Sequence, residues 1–200
     1  MDKIIILGKG GHAKSIADTI RMQGDYEIVG YVINDNTSEE PKDDYPIVGS
    51  DEDLETIYQS GVHCAAIGIG YLGKGTIRKK LYEHLKRIGY SLPIIADSTA
   101  IISEKVEVEE GTFIGKGVIV NAGVHIGKMC IINTGAIVEH DCQIGDFSHI
   151  AVGTVLCGDV HIGNETLIGA NATVIQGRQV GDRCIVGAGE VIRKNILNED

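Results

Sequence analysis

Residues 126–150 read IGKMCI-INTGAI-VEHDCQ-IGDFSH-I, and an aliphatic residue opens each group of six. The same phase holds without a gap over sixteen units, fifteen of which open on a β-branched residue. The positions are Ile102, Val108, Ile114, Val120, Ile126, Ile132, Val138, Ile144, Ile150, Leu156, Ile162, Ile168, Val174, Val180, Val186 and Ile192. A period of six suits neither an amphipathic helix nor an alternating strand, and it indicates the stacked repeats of a β-helix. We therefore predict a triangular prism in which three hexapeptides form one coil of about 18 residues.

A second regularity agrees with a prism. The residue four positions after each aliphatic is small enough for a tight corner, except at Arg178 and Glu190. Glycine often follows the aliphatic directly, as at Gly115, Gly145 and Gly163, and we expect it to supply turn backbones that other residues adopt only at a cost. An ordinary β-sandwich is the alternative fold, but it would leave the unbroken period as an accident.

Composition narrows the classes of partner. The formal charge is −10, so general attraction to nucleic acid or to anionic membranes is not expected. The sequence lacks an apolar run long enough for a transmembrane helix, and its start lacks the pattern of a signal peptide, so we expect a cytoplasmic protein. Five cysteines without a CxxC pair favour packing residues over a disulfide framework or a zinc site.

Residues 1–95 carry a different pattern, in which strands alternate with helices. Apolar runs predict strands at 3–7, 26–33, 62–69 and 92–96, and amphipathic patterns predict helices at 12–22, 51–60 and 76–88. This alternation predicts a small parallel α/β, Rossmann-like domain at 1–95, followed by the β-helix domain at 96–200.

The predicted ligand edge of the small domain is the carboxyl end of its strands. Gly8-Lys9-Gly10-Gly11 joins the first strand to the first helix, where free N–H groups can bind a phosphate. The run lacks the spacing of the dinucleotide fingerprint, so NAD binding is disfavoured and a purely structural turn stays open. Asp35 follows the second strand, where a carboxylate can accept hydrogen bonds from a ribose or a base. Arg78 opens the last helix beside a second glycine turn, and we predict that it also contacts substrate.

His140 is the candidate catalytic group. Because residues 18 apart stack, its ring should have Ala122 below it and Gly158 above it, which leaves open space beside the imidazole. Asp141 follows directly, and a carboxylate on one ring nitrogen would fix the tautomer and raise the basicity of the other. Asn133 and His149 add hydrogen-bonding groups in the same two coils.

The remaining histidines of the repeat suggest a plainer role. His125 and His161 hold equivalent positions two coils apart, and we interpret them as surface or subunit-contact residues. A zinc site of three histidines from neighbouring subunits is the alternative, since this fold can host one. Cys142 holds an inward small position, so we do not expect a covalent acyl-enzyme.

The order of these motifs resembles a known family. A small Gly-Gly-His domain precedes an uninterrupted hexapeptide β-helix with Asn133-x6-His140-Asp141 and Phe147-Ser148-His149, as in the bacterial acetyltransferases of sialic acids or 4-amino nucleotide sugars. The likeness spans essentially the whole chain. It implies a left-handed β-helix, a homotrimer, acetyl-CoA as the donor, no metal, and an active site in the groove between two subunits.

The resemblance also implies residue roles. His140 would be the general base, and Asp141 the carboxylate that supports it. Contacts with acetyl-CoA would come from Asn133, His149, Gly158, Ala170 and Ala188. The nucleotide-sugar site would comprise Gly10, Gly11, His12, Asn34 and Asp35. The last pair often reads Asp-Asp in the family, so Asn34 is a departure.

Three classes of function remain distinguishable by experiment. The favoured class is a sugar N- or O-acetyltransferase of glycan biosynthesis that uses acetyl-CoA. A zinc-dependent hydratase of the carbonic anhydrase type would bind stoichiometric metal. A non-catalytic binding or scaffold protein would release no thiol from acetyl-CoA with any sugar.

Overall fold

The computed structural model of the chain describes residues 1–34, 45–73 and 76–197. It divides into two compact units, one of Met1–Gly70 with Thr76–Pro93 and the other of Tyr71–Gly75 with Ile94–Asp200. Within the described residues, no helix is both long and apolar enough to cross a membrane.

The first unit is a parallel sheet with helices. Its elements in chain order are β1 (Asp2–Leu7), α1 (Gly11–Gln23), β2 (Tyr26–Val32), β3 (Ile47–Gly49), a 3-10 turn (Asp51–Asp53), α2 (Leu54–Gln59), β4 (Cys64–Ile67) and α3 (Ile77–Ile88). The strand order is β3-β2-β1-β4, and every pairing is parallel. The strand β1 is central, and Ile4, Ile5 and Ile6 are completely buried, which agrees with its unbroken apolar run. The predicted α/β fold of this part is confirmed.

The fourth strand of this sheet is not the one that the sequence predicted. The additional strand is Ile47–Gly49, which pairs with β2 at one edge of the sheet. At the other edge, Ser91 makes an isolated bridge to Cys64 of β4. Ile95–Ala96 instead pairs with Phe113–Ile114 in the second unit. The reason is the period of six, because Ala96 stands one repeat before Ile102 and enters the prism in phase.

The second unit is a left-handed parallel β-helix of two-residue strands. Its first face comprises Ile95–Ala96, Phe113–Ile114, Ile131–Ile132, His149–Ile150, Leu167–Ile168 and Ile185–Val186. Its second face comprises Ile101–Ile102, Ile119–Val120, Ile137–Val138, Val155–Leu156, Thr173–Val174 and Val191–Ile192. Its third face comprises Glu107–Val108, His125–Ile126, Gln143–Ile144, His161–Ile162 and Gln179–Val180. Each strand pairs with the residues 18 positions later, such as His125 with Gln143, so the predicted coil length and fold class are confirmed.

The aliphatic row forms the interior of the prism. The residues from Ile114 to Val186 in the period of six are 0–3% exposed and belong to one cluster. Ile102 is 38% exposed, since it lies near the open end of the stack. Aliphatic stacking without aromatic residues therefore supplies the core, as the low aromatic content suggested.

Small polar residues at the corners satisfy the backbone of the next coil. The hydroxyls of Thr112, Ser148, Thr154 and Thr166 are completely buried, and each donates to the carbonyl oxygen 15 residues later at 2.6–3.0 Å. A buried carbonyl without a partner is costly, so these side chains contribute hydrogen bonds as well as small volume.

The turns use glycine differently from the expectation. A left-handed backbone recurs every six residues from Gly111 to Gly189, three positions after the aliphatic, and half of these residues are not glycine. The glycine directly after the aliphatic serves close approach instead. A Cβ on Gly163, for example, would lie 2.5 Å from the backbone nitrogen of Asp182 in the next coil.

Candidate active site

His140 lies in the turn between the second and third faces. The turn follows Ile137–Val138 and precedes Gln143–Ile144, and the backbone is held by hydrogen bonds from Asp141 N to Ala122 O and from Asp159 N to His140 O. The ring is 53% exposed, so it is accessible to a substrate.

A direct contact joins His140 to Asp141. His140 Nδ1 lies 2.8 Å from Asp141 Oδ2, so the proton on Nδ1 is donated to the carboxylate and Nε2 carries the free lone pair. This hydrogen bond is the main reason that the pKa of His140 is raised; desolvation opposes it, and the charges of Asp141, Glu139 and Asp159 each add a smaller increase. The imidazole is therefore a stronger base than an isolated histidine.

Two glycines create the space that this pair occupies. A Cβ on Gly158 would lie 2.5 Å from His140 Nε2, and a Cβ on Gly123 would lie 2.6 Å from Asp141 Oδ1. Asp141 itself adopts the left-handed backbone at φ 61°, which directs its carboxylate back toward the ring. The predicted juxtaposition of His140, Asp141 and Gly158 is present, and we call these three residues the His140 corner.

Substitution of Asp141 by asparagine should change the pH dependence of turnover. The amide cannot hold the imidazolium as a carboxylate does, so the pKa of His140 should fall toward its ordinary value. The active form is the neutral imidazole, and the acid limb of the rate profile should therefore move to lower pH. A weaker base should also reduce the plateau by roughly tenfold. A pH–rate series on both proteins measures the two effects.

Asp182→Asn is the matched control, since Asp182 lies in a later coil and accepts hydrogen bonds from the backbone N and the side-chain Nδ2 of Asn164. Its acid limb should coincide with that of the parent. If the limb of Asp141→Asn also stays in place, the carboxylate does not tune the base.

Asn133 and His149 form a second cluster. Asn133 Nδ2 lies 3.2 Å from His149 Nε2, and His149 Nδ1 lies 2.7 Å from Tyr71 O. His149 is only 8% exposed, so the structure brings the two residues together but places the imidazole beneath the segment at Tyr71. Tyr71 also donates its hydroxyl to Glu165 O at 2.6 Å. No sequence pattern indicated this segment, because residues 71–73 lie outside the repeat.

The other predicted coenzyme contacts lie at a different edge of the prism. Ala170 and Ala188 occupy the turns between the first and second faces, one above the other, and Gly189 N donates to Ala170 O. Asn133 lies in the equivalent turn two coils earlier. We call Asn133, Ala170 and Ala188 the Asn133 corner. The second face therefore separates this corner from the His140 corner within one chain.

Cys142 does not qualify as a nucleophile. Its thiol donates to Cys157 O at 3.2 Å inside the prism, and burial raises its pKa to about 11. A thiolate is therefore scarce at neutral pH, which agrees with the expectation of no acyl-enzyme.

The first unit contains a cavity of about 340 Å³ at the carboxyl ends of β1 and β2. Its walls are mainly aliphatic, and the polar side chains on it are Lys9, Asn34 and Asp51. Its lining comprises Leu7, Gly8, Lys9, Val32, Ile33, Asn34, Asp51, Ile69, Ile77 and Leu81.

The glycine run lies next to this cavity. Gly10 is the N-cap of α1, and Gly11 and His12 form its first turn. A side chain on Gly10 or Gly11 would meet nothing within 4 Å, so the backbone there is open to approach. The first N–H groups of α1 suit an anion, as predicted.

Two predicted substrate residues, Arg78 and Asp35, are not among the described residues that line the cavity. Arg78 is only 4% exposed, and its guanidinium donates to Ile69 O at 2.5 Å, so it fastens α3 to the end of β4 instead of lining the cavity. Its position at the start of the helix beside a glycine turn suggested a substrate contact, but the long side chain turns inward. Asp35 lies outside the described residues.

Asp51 is a cavity residue that the sequence interpretation missed. The short strand β3 ends two residues before it, so its position follows the same rule that selected Asp35. Among residues 1–34, 45–73 and 76–197, no group of three or more His, Cys, Asp or Glu is placed to hold a metal ion.

Two family models match the chain. The model of the PglD N-terminal domain matches residues 3–85. The model of the hexapeptide repeat of succinyl-transferase matches residues 105–140 and 159–194.

Solved structures match over nearly the whole length. GDP-perosamine N-acetyltransferase from Caulobacter crescentus, as a histidine-to-alanine variant in complex with CoA and GDP-perosamine, is 32% identical with a TM-score of 0.92, and the match covers 99% of this chain and 91% of that one. PerB from the same organism, with the same two ligands, is 32% identical with a TM-score of 0.91, over 100% and 92% of the chains. The acetyltransferase domain of PglB from Neisseria gonorrhoeae FA1090, with acetyl coenzyme A, is 29% identical with a TM-score of 0.88, over 98% and 93%.

Proposed function

The chain belongs to the hexapeptide-repeat sugar N-acetyltransferases with a PglD-type N-terminal domain, and on this premise we propose that His140 and Asp141 catalyse acetyl transfer to a nucleotide sugar. The family expected from the sequence is confirmed. The protein is an acyltransferase, and acetyl-CoA is its donor. The single observation that carries the residue assignment is the 2.8 Å contact of His140 with Asp141, which the structure accommodates because Gly158 has no side chain.

The proposed reaction needs no covalent enzyme intermediate. His140 Nε2 takes a proton from the sugar amine as its nitrogen attacks the thioester carbonyl carbon. The tetrahedral intermediate collapses, the C–S bond breaks, and the coenzyme thiolate takes a proton from the imidazolium. Asp141 supports the transient positive charge on the ring. Orientation of the two bound substrates lowers the barrier further.

The Asn133 corner is the proposed binding surface for the coenzyme. Gly169 lets the backbone of the next coil lie close to it, since a Cβ at this position would be 2.6 Å from Ala188 N. Ala170 and Ala188 add short side chains, so a slender pantetheine chain fits against this edge. His149 holds this surface in place, because its two ring nitrogens contact Asn133 Nδ2 and Tyr71 O.

The cavity of the first unit is the proposed site of the nucleotide. Its aliphatic walls suit the faces of a base, and the N-terminus of α1 suits the phosphates. Gly10, Gly11 and His12 supply that terminus, and the solved relatives bound to GDP-perosamine support a nucleotide sugar as the acceptor.

A homotrimer is proposed from the second face. Its outward row is Ile101, Ile119, Ile137, Val155, Thr173 and Val191, and every member is partly or largely exposed, with Ile101 at 67%. An accessible row of five aliphatic residues and one threonine is typical of a subunit interface. Three chains closed around an axis through this face would bring the His140 corner of one chain beside the Asn133 corner of its neighbour. Both halves of the proposed site would then meet.

A thiol-release screen tests this function. The purified protein, acetyl-CoA and a panel of acceptors are incubated, and free CoA is measured. We expect release with a 4-amino nucleotide sugar and far less with its 4-hydroxy analogue, because a neutral amine is the better nucleophile toward a thioester. Mass spectrometry should show one added acetyl group on the sugar.

The panel also separates the alternatives. Faster release with the hydroxy sugars or free sialic acid would replace the N-acetyl assignment with O-acetylation. Release with none of the acceptors would contradict the enzyme assignment and favour the binding protein.

A further inference from the structure

The side-chain amide of Asn34 makes two hydrogen bonds to Asp51. Asn34 Oδ1 accepts from Asp51 N at 2.9 Å, and Asn34 Nδ2 donates to Asp51 Oδ2. Both residues lie at the carboxyl ends of neighbouring strands, β2 and β3, on the wall of the cavity. The amide that replaces the family's usual carboxylate at position 34 thus orients a different carboxylate.

The second oxygen of Asp51 remains for a ligand. The described residues place no donor on Asp51 Oδ1, and the surrounding wall is aliphatic, with Val32, Ile33 and Ile77 on it. An ionised carboxylate is an acceptor only, so it selects a ligand group that presents N–H donors. A hydrogen bond to a charged acceptor is stronger than one between neutral groups.

We propose that Asp51, oriented by Asn34, is the residue that selects a guanine nucleotide as the carrier of the sugar. Guanine presents two adjacent donors, N1–H and the N2 amino group, which match Asp51 Oδ1 and the remaining lone pair of Oδ2. Uracil presents a single N–H between two carbonyl oxygens, and those oxygens repel the carboxylate. This assignment rests on the proposed function, since it names the nucleotide of the same acceptor site.

Calorimetry with GDP, IDP and UDP tests the proposal on the unaltered chain. IDP differs from GDP only by the missing N2 amino group, so it isolates one of the two contacts. We expect GDP to bind at least about tenfold more tightly than IDP, and more tightly than UDP, as for a charged hydrogen bond that loses its partner. Tightest binding of UDP, or equal binding of GDP and IDP, would overturn the proposal.

The variant Asp51→Asn should abolish this discrimination. An amide presents one acceptor and one donor, so the GDP affinity should fall by about 10- to 100-fold, and the ratio of GDP to IDP affinity should approach one. Glu52→Gln is the matched control, because it removes a neighbouring exposed carboxylate and should leave both values unchanged. A ratio in Asp51→Asn equal to that of the parent would also overturn the proposal.

The outcome is separable from acetyl transfer, because binding is measured without acetyl-CoA. If UDP binds best, the choice of guanine is wrong while the nucleotide-sugar site stands. If none of the three nucleotides binds, the nucleotide site of the proposed function fails together with the choice of base.

Discussion

His140→Ala is expected to lower kcat by about 10²–10⁴-fold, which is the usual contribution of a general base. The remaining rate would come from the orientation of the two substrates, which the substitution leaves in place. The Kd for CoA should stay close to the parent value, because the imidazole of His140 is not part of the proposed coenzyme-binding surface. Steady-state kinetics and calorimetry with CoA together distinguish a lost base from a lost binding site.

His161→Ala is the matched control. His161 is 47% exposed and also stands near a carboxylate, Asp159, at 3.4 Å, but it lies on the third face. Its kcat should equal that of the parent. A His140→Ala protein that turns over at the parent rate would refute the assignment of the base, whatever the fold.

Much of this site followed from the sequence because stacking converts spacing into distance. Once the period fixes a coil of 18 residues, Gly158 must lie over His140, and the neighbouring Asp141 must share the same turn. The structure adds what spacing cannot give, namely the left-handed backbone of Asp141 that turns its carboxylate onto Nδ1. The sequence interpretation assigned the turn backbones to glycine, so it did not predict this conformation at Asp141, although it recurs at every sixth residue of the repeat.

The parts that escaped prediction lie where no period operates. The strand β3 has three residues, too few to show an alternation, and so Asp51 could not be placed at a strand end. Tyr71 contacts His149 across 78 positions of sequence, and only the folded chain shows that this imidazole is covered. Arg78 was expected to contact substrate because it opens α3 beside a glycine turn, whereas its guanidinium donates to the carbonyl of Ile69.

Ile137→Asp is expected to break the proposed trimer and to abolish turnover with His140 intact. Ile137 lies in the middle of the outward row of the second face, in the strand that leads directly into the His140 corner. A carboxylate buried in an aliphatic interface lacks a partner and is strongly destabilising. Sedimentation should show a shift from three chains to one. Gln143→Asp, on the third face of the same coil, should retain both the trimer and the activity.

Mixed trimers would show whether the two corners act across the interface. Ala170→Phe should block the proposed coenzyme-binding surface and inactivate the protein while leaving His140 in place. His140→Ala removes the base and leaves that surface intact. If each site combines the His140 corner of one chain with the Asn133 corner of the next, equal mixing of the two inactive variants by refolding should restore roughly one quarter of the sites. If each site belongs to a single chain, every chain in the mixture carries a defect and no activity returns. The recovered fraction therefore measures directly whether the chain is an incomplete enzyme on its own.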